Sequence, residues 1–330
     1  MMKEKVLEML RSEGDFLSGE TISARLGVSR AAVWKVMQKL KEEGYAIESV
    51  PNRGYRLSEA TARLCLSEIR ANLPKYHPWR DLIQFQEDVD STNTRLKLSA
   101  SQGAPHGSVL IADHQTGGRG RRGRSFASPP NMGIYLSALL RPQCRPEELM
   151  HLTCAVAEAM VQAIEDAAGF RPGIKWTNDL VSGKRKLTGI LTELSLEAES
   201  GCVDYAVIGI GVNCCQKLSD FPEELREMAG SLHMVTGGPI DRNKLAAAMV
   251  RRLCEMDQKL LSDKAAILDA YRKDCITLGQ DIVLLRGEEK RYGRALDVDE
   301  NGALVVAFTD GTVGTVNSGE VSVRGMYGYV

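Results

Sequence analysis

Apolar positions recur along this chain with two different periods, and the switches between them divide it into segments. Val6, Leu7 and Leu10 fall on one helical face. Thr21 to Leu26 predicts a second, short helix ended by Gly27. Ser29 is a favourable N-cap for a third, in which Ala32, Val33, Val36, Met37 and Leu40 keep helical spacing until Gly44. Two strand-like runs, 45–50 and 55–57, then flank the turn sequence Pro51-Asn52-Arg53-Gly54. Residues 61–80 predict a linker helix followed by Pro74 and Pro78. From 83 to about 270, strand-like runs at 108–112, 134–140 and 205–211 alternate with helical stretches at 147–168 and 242–261, the pattern of a mixed α/β domain. Beyond 275, short strands at 282–285, 291–298, 303–308 and 313–316 are punctuated by tight-turn sequences, which argues for a small β-barrel.

A length of 330 residues fits two domains, or three if some are small. With 42 Lys and Arg against 43 Asp and Glu, the net charge of −1 excludes a polycationic coat protein or an acidic-tail protein. The charge is uneven, however. Residues 21–56 hold seven bases (Arg25, Arg30, Lys35, Lys39, Lys41, Arg53, Arg56) and three acids (Glu42, Glu43, Glu48). Helix, short helix, Gly-Val-Ser turn, longer helix and β-wing, in that order and with that excess, resemble a winged helix-turn-helix. In that motif the start of the recognition helix meets base edges and wing bases meet phosphates. Ser29, Arg30 and Lys35 are thereby placed at DNA, with Arg53 on the wing. The alternative is a protein-interaction bundle with a solvated charged face. No apolar run approaches the roughly 18–20 residues that span a bilayer, and no signal core opens the chain, so a cytoplasmic protein without membrane contact is expected. Eight cysteines without a C-x-x-C pair and five histidines without H-E-x-x-H imply free thiols and no structural zinc.

The most unusual stretch is Thr116-Gly117-Gly118-Arg119-Gly120-Arg121-Arg122-Gly123-Arg124. It contains a formal G-x-G-x-x-G, but Pro129-Pro130 follows where a dinucleotide fingerprint needs a helix, and there is no Walker lysine. Its glycines let backbone amides approach an anion, and its arginines supply planar charged forks. Four guanidiniums without an acid predict a self-repelling loop that stays mobile until an anionic ligand neutralises it. An RGG-like tract or an incidental surface loop are the other readings. A second segment, Lys175-Trp176-Thr177-Asn178-Asp179-Leu180 followed by Arg185-Lys186-Leu187-Thr188-Gly189-Ile190-Leu191-Thr192-Glu193, offers a carboxamide, a carboxylate and lysines suited to a phosphate-bearing cosubstrate and its metal. Asp90-Ser91-Thr92-Asn93 reads as a helix N-cap, and Gly209-Ile210-Gly211-Val212-Asn213 as a strand ending in a turn.

Taken in order, these four segments closely resemble the biotin–protein ligases, and with the N-terminal winged helix the bifunctional class that joins ligase and biotin-operon repressor. The resemblance covers essentially the whole chain, with the arginine–glycine loop as its most specific part. It implies a multidomain α+β protein: a winged helix-turn-helix at 1–62, a linker at 63–82, a class II synthetase-like mixed α/β ligase domain at 83–272, and a small SH3-like β-barrel at 273–330. The implied reaction joins biotin to ATP as biotinyl-5′-AMP with release of pyrophosphate, then passes the acyl group to a lysine of the biotin carboxyl carrier domain of acetyl-CoA carboxylase. Mg²⁺ accompanies ATP near Asn178 and Asp179.

By the same resemblance, Lys186, Arg121, Asn178 and Asp179 carry the chemistry, Asp179 also being the nearest acceptor for the proton of the incoming lysine. Ser91, Thr92 and Asn93 hold the biotin head group, with Gln115 and Gly118 nearby. Arg119 and Arg121 contact the intermediate, Phe126 stands where the family usually has Trp, and Asn213 and Arg324 sit at the nucleotide end. Thr177 replaces the family's usual proline, which removes no polar ligand. Operator DNA and a ligand-promoted homodimer are the remaining implied partners. The alternatives are a ligase without repressor activity, a lipoate-type acyl ligase, and a biotin sensor without catalysis.

Overall fold

The computed structural model describes residues 2–42, 45, 47–51, 53–57, 63–286, 289–317 and 322–325. Gly44 and Asn52, at the end of the third helix and in the wing turn, lie outside the described residues. The N-terminal unit comprises α1 (Met2–Glu13), α2 (Gly19–Leu26), α3 (Arg30–Glu42) and the hairpin β1 (Ile47–Val50) and β2 (Gly54–Leu57). Ser18 caps α2 by accepting from Thr21 N at 3.0 Å, so that helix starts two residues earlier than its apolar pattern. Ser29 Oγ accepts from Ala32 N at 3.2 Å at the start of α3. Val6, Leu10, Ile22, Val33, Met37 and Leu40 close a core of their own. The wing is held to the helices by Leu17 and Tyr55, which exchange both backbone hydrogen bonds (2.8 and 2.9 Å). Gly54 (φ +106°) permits this approach, since a Cβ there would stand 2.3 Å from Leu17 O.

The expected linker is a packed element. Helix α4 (Leu66–Ala71) buries Ile69 in the main core, and Asn243 binds the chain on either side of Leu64, accepting from Cys65 N (2.9 Å) and donating to Arg63 O (3.0 Å).

The central sheet comprises β3 (Ile83–Val89), β4 (Val109–Gln115), β5 (Gly133–Leu140), β6 (Gly173–Lys175), β7 (Asp179–Ser182), β8 (Arg185–Leu196) and β9 (Val203–Asn213). Its order is β3-β4-β5-β9-β8-β7-β6, parallel only between β3 and β4. Strand β5 is buried at all eight positions, as its unbroken apolar run requires. Helix α5 (Thr92–Ser101) covers one face through Leu96, Ala100, Leu110, Leu139 and Val207. On the opposite face lie Ile111, Leu136, Ile208 and Ile210, in one core with α6 (Leu152–Ala168) and α8 (Arg242–Lys259). Helices α7 (Leu232–Thr236) and α9 (Lys264–Asp274) complete the set, and α9 runs through the boundary expected at 272/273.

The C-terminal strands are β10 (Asp281–Arg286), β11 (Glu289–Val298), β12 (Leu304–Phe308), β13 (Val313–Val316) and β14 (Ser322–Gly325). They form an antiparallel sheet in the order β13-β12-β11-β10-β14. The small all-β unit expected here is, among the described residues, this five-stranded antiparallel sheet, in which the last strand β14 returns to pair beside β10.

Glu158 on α6 is 5% exposed, with Gln162 donating to it at 2.9 Å and Arg171 at 3.5 Å. Burial pushes its carboxyl up to about 7; the nearby Asp274 adds to this, and Gln162 and Arg171 oppose it. The folded value lies above the unfolded one near 4.5. The associated stability is therefore full below about pH 4.5 and lost as pH rises through about 7. Glu158→Gln, a neutral isostere, should gain roughly 2–4 °C in Tm over the parent at pH 8 and little at pH 5. Scanning calorimetry at both pH values checks this, and Tm curves running parallel would refute it.

Candidate active site

Helix α5 leaves the far ends of β8 and β9 open, and the site lies there. Gly189 and Gly211 are directly paired across these strands, with Gly209 next along the same face of β9. A Cβ on Gly209 would stand 2.2 Å from Asn93 Oδ1, and one on Gly211 2.5 Å from the Phe126 ring. Only glycine lets these groups lie flat on the sheet. The segment was expected to be a strand ending in a turn; the strand is there, as the end of β9, and the glycines at a period of two keep one of its faces bare.

At the N-terminus of α5, Ser91 occupies the cap position without making a capping bond, which leaves its hydroxyl at the cavity. Thr92 donates to Gln115 Oε1 through both N (2.9 Å) and Oγ1 (3.1 Å). Asn93 donates from Nδ2 to Glu193 at 2.9 Å, and its Oδ1 accepts from Ser137 at 2.6 Å. Sequence reasoning passed over Ser137 and gave Glu193, the last residue of the second segment, no role of its own, because sheet register alone brings them here.

The arginine–glycine loop is hydrogen-bonded over this floor, in contrast to the self-repelling segment its composition suggested. Gly120 N donates to Arg124 O (2.7 Å), Phe126 N to Gly118 O (2.9 Å), and Arg121–Gly123 form one 3₁₀ turn. Distant residues supply the missing counter-charge and acceptors. Arg121 donates to Asn178 Oδ1 at 2.8 Å, and Arg119 meets Glu193 at 3.2 Å. Burial pulls the Arg121 guanidinium below its ordinary range; Asp179 opposes this, and Arg122 and Arg124 reinforce it. Phe126 packs on the glycines and, edge-on, against Tyr135, 6.5 Å between centroids.

On the far wall, Lys186 Nζ pairs with Asp179 Oδ1 at 2.6 Å, and Asn178 Nδ2 donates to Ile190 O at 2.9 Å. The peptide bond Trp176–Thr177 is cis. Trp176 anchors this turn to the C-terminal sheet through Nε1 to Gly302 O (3.0 Å) and N to Thr277 Oγ1 (2.9 Å).

Ser91, Thr92, Asn93, Gln115, Arg119, Arg121, Phe126, Asn178 and Lys186 thus line one cavity. Gly118 lies behind it, where a Cβ would meet Phe126 O at 2.3 Å. Asp179 stands behind Lys186 and does not face the opening. Asn213 is turned away: its carboxamide donates to Gly230 O and accepts from Gln216. Arg324 lies on β14 opposite Val283, its side chain outside the described residues. Among the described residues no group of three or more His, Cys, Asp or Glu side chains is arranged to hold a metal ion. Among those residues no helix is long and apolar enough to cross a membrane.

On the N-terminal unit, Ser29, Arg30 and Lys35 are exposed on α3, and Arg53 is exposed beside β2, stacked on Phe16 at 4.4 Å. Trp34, 54% exposed on α3 one turn beyond Arg30, is the residue sequence reasoning passed over; an aromatic on a helix reads as core until the helix is seen.

Residues 3–56 match an HTH domain, residues 85–213 the biotin/lipoate A/B protein ligase family, and residues 277–324 the biotin protein ligase C-terminal domain. The bifunctional ligase/repressor BirA of Bacillus subtilis is 35% identical over 316 residues, covering 94% of this chain and 95% of that protein. BirA of Escherichia coli is 30% identical, covering 96% and 95%. The biotin protein ligase of Aquifex aeolicus, solved in complex with biotin and ATP, superposes with a TM-score of 0.63 at 30% identity over 74% of this chain and 98% of that one. With identity sustained from the helix-turn-helix through the ligase domain to the C-terminal sheet, the chain belongs to the biotin–protein ligase family, in its bifunctional ligase/repressor class.

Proposed function

We propose that this chain condenses biotin with ATP to biotinyl-5′-AMP and pyrophosphate, transfers the biotinyl group to a lysine of the carboxylase carrier domain, and in its adenylate-bound, dimeric form represses transcription at operator DNA. The observation that carries the reading is the convergence of Lys186, Arg121 and Arg119 on a glycine floor whose other end holds the hydroxyls and amides of Ser91, Thr92, Asn93 and Gln115. The polar end suits a neutral ureido head group, and the cationic end a carboxylate meeting an α-phosphate.

Attack of the biotin carboxylate on the α-phosphate brings two anions together. Lys186 and Arg121 screen them there, exchanging Asp179 and Asn178 for ligand oxygens. The loop over the cavity keeps water from the mixed anhydride until the acceptor arrives. Asn178 and Asp179 offer one carboxamide and one carboxylate oxygen site, a donor set that fits Mg²⁺ carried in on the triphosphate with most of its coordination from phosphate and water. That ion would neutralise charge on the departing pyrophosphate. Asp179, once free of Lys186, is the base nearest the acceptor amine.

Incubation of the full chain with biotin, ATP, Mg²⁺ and a carrier domain should biotinylate one carrier lysine, read by mass spectrometry; lipoate in place of biotin should not support the reaction. Lys186→Ala should lower pyrophosphate release by about 10²–10³-fold, and an unchanged rate would remove Lys186 from the chemistry. For DNA, Arg30→Ala should spare biotinylation, weaken binding of the loaded protein to operator duplex by about 1–3 kcal/mol and relax its preference for operator over unrelated duplex. Because Trp79 and Trp176 are buried, the fluorescence change on DNA addition should come from Trp34 and vanish in Trp34→Phe. A DNA affinity unaffected by biotin plus ATP would remove the repressor half of the proposal.

A further inference from the structure

Glu193, on β8 at the rim of the cavity, takes no part in the reaction as set out above, yet three elements converge on it. Its Oε2 accepts from Asn93 Nδ2 at 2.9 Å, and its Oε1 accepts from Lys97 Nζ at 2.9 Å and faces Arg119 at 3.2 Å. Partial burial alone would raise its carboxyl; Lys97, Asn93 and Arg119 outweigh that and hold it below the ordinary range. An ionised carboxylate can only accept hydrogen bonds. Asn93 must therefore turn its NH₂ toward Glu193 and its Oδ1 toward Ser137.

The consequence runs on from there. Ser137 is fully buried in the middle of β5, with one proton and two acceptors in reach: Asn93 Oδ1 at 2.6 Å and Thr92 Oγ1 at 2.8 Å. Thr92 spends its own proton on Gln115 Oε1 (3.1 Å). With its oxygen so occupied, Gln115 donates from Nε2 to Ser128 Oγ (2.9 Å), which donates to Phe126 O (2.9 Å). Backbone groups fix the sense at the Gln115 end, where Thr92 N donates to Oε1 (2.9 Å) and Phe126 O accepts from Ser128; at the Asn93–Ser137 link amide and hydroxyl permit either sense, and the charge of Glu193 selects one.

We infer that Glu193 is a positioning residue for biotin recognition: its carboxylate fixes the orientation of the Asn93 carboxamide and, through it, of the Ser137 hydroxyl at the head-group end of the cavity. This rests on the biotin reading of the cavity. A ureido group has one acceptor and two donors in fixed order, so an Asn93 carboxamide free to flip presents it with the wrong partners part of the time. The loss falls on biotin binding and not on phosphoryl chemistry, which Lys186 and Arg121 serve at the other end.

The test uses the full chain with biotin and ATP, following pyrophosphate release. Glu193→Gln keeps the shape but can donate as well as accept. It should raise the KM for biotin tenfold or more, with kcat and the KM for ATP within twofold of the parent. Lys97→Met, which removes the neighbouring charge and leaves the Asn93–Glu193 bond in place, should leave the biotin KM within twofold. The double variant Asn93→Asp/Glu193→Gln exchanges donor and acceptor across the same bond, restores the sense at Ser137, and should recover biotin KM relative to Glu193→Gln alone. The inference is overturned if Glu193→Gln binds biotin like the parent, if it lowers kcat and raises both KM values together, if Lys97→Met mimics it, or if the double variant gives no recovery. A parent chain with no biotin-dependent pyrophosphate release would instead overturn the ligase reading itself.

Discussion

Cations gathered at a cavity need partners before any ligand arrives, and the rest of the site is arranged around that requirement. Leaving a guanidinium or ammonium partly buried without an acceptor costs several kcal/mol. Each of the three cations is met by a different residue from the far half of the central sheet: Arg121 by Asn178, Lys186 by Asp179, Arg119 by Glu193. Asn178 and Asp179 are neighbours in sequence yet serve groups from two distant segments, which is why carboxamide and carboxylate must be adjacent. Pairing of this kind is exchangeable. A carboxylate and a phosphate can replace Asn178 and Asp179 as acceptors, and the cations then need little rearrangement.

The glycines on β8 and β9 are the complementary half of the design. They remove side chains where the sheet would otherwise fill the space between α5 and the loop, and Phe126 and Asn93 lie directly against the backbone instead. A rigid, paired strand floor holds its neighbours in place better than a loop would. The polar network from Glu193 to Phe126 crosses this floor, so head-group end and loop share one set of fixed orientations.

Much of this was legible in the sequence where the signal is local. Caps and helical spacing marked the three N-terminal helices, and the wing followed from alternation around a turn. Strands β4, β5 and β9 stood out as apolar runs. Strand β8 was hidden because Arg185 to Glu193 read as a chemical segment, and β3 because an edge strand alternates with polar residues that resemble a loop. Sequence reasoning named nine residues that line one cavity, seven of them inside the four motifs and Gln115 and Phe126 beside them. It passed over Ser137 and gave Glu193 no role, since a serine inside an apolar run and a glutamate at a strand's outer half acquire meaning only through cross-strand register. Composition misled at the arginine–glycine loop for the same reason: its acceptors stand 57 and 74 residues away. Asn213 was expected at the nucleotide end because it closes a motif, but its carboxamide holds the segment at Gly230.

The division into domains is likewise weaker in the structure than in the sequence. Asp113, two residues before Gln115 on β4, pairs with Arg242, which is buried and also donates to Gly133 O. The next residue, Asn243, binds the chain at Arg63 and Cys65, just ahead of α4. The hydroxyl of Ser67 on that helix meets Tyr45, buried in the helix-turn-helix core. A set of polar contacts, buried or half-buried, therefore joins the cavity wall to the DNA-binding unit. Contiguity is not coupling; that requires an element with two arrangements which ligand and DNA each bias. It does fix the route: a ligand-driven shift of β4 that reaches the recognition helix through this contact set must cross the Asp113–Arg242 pair and the carboxamide of Asn243.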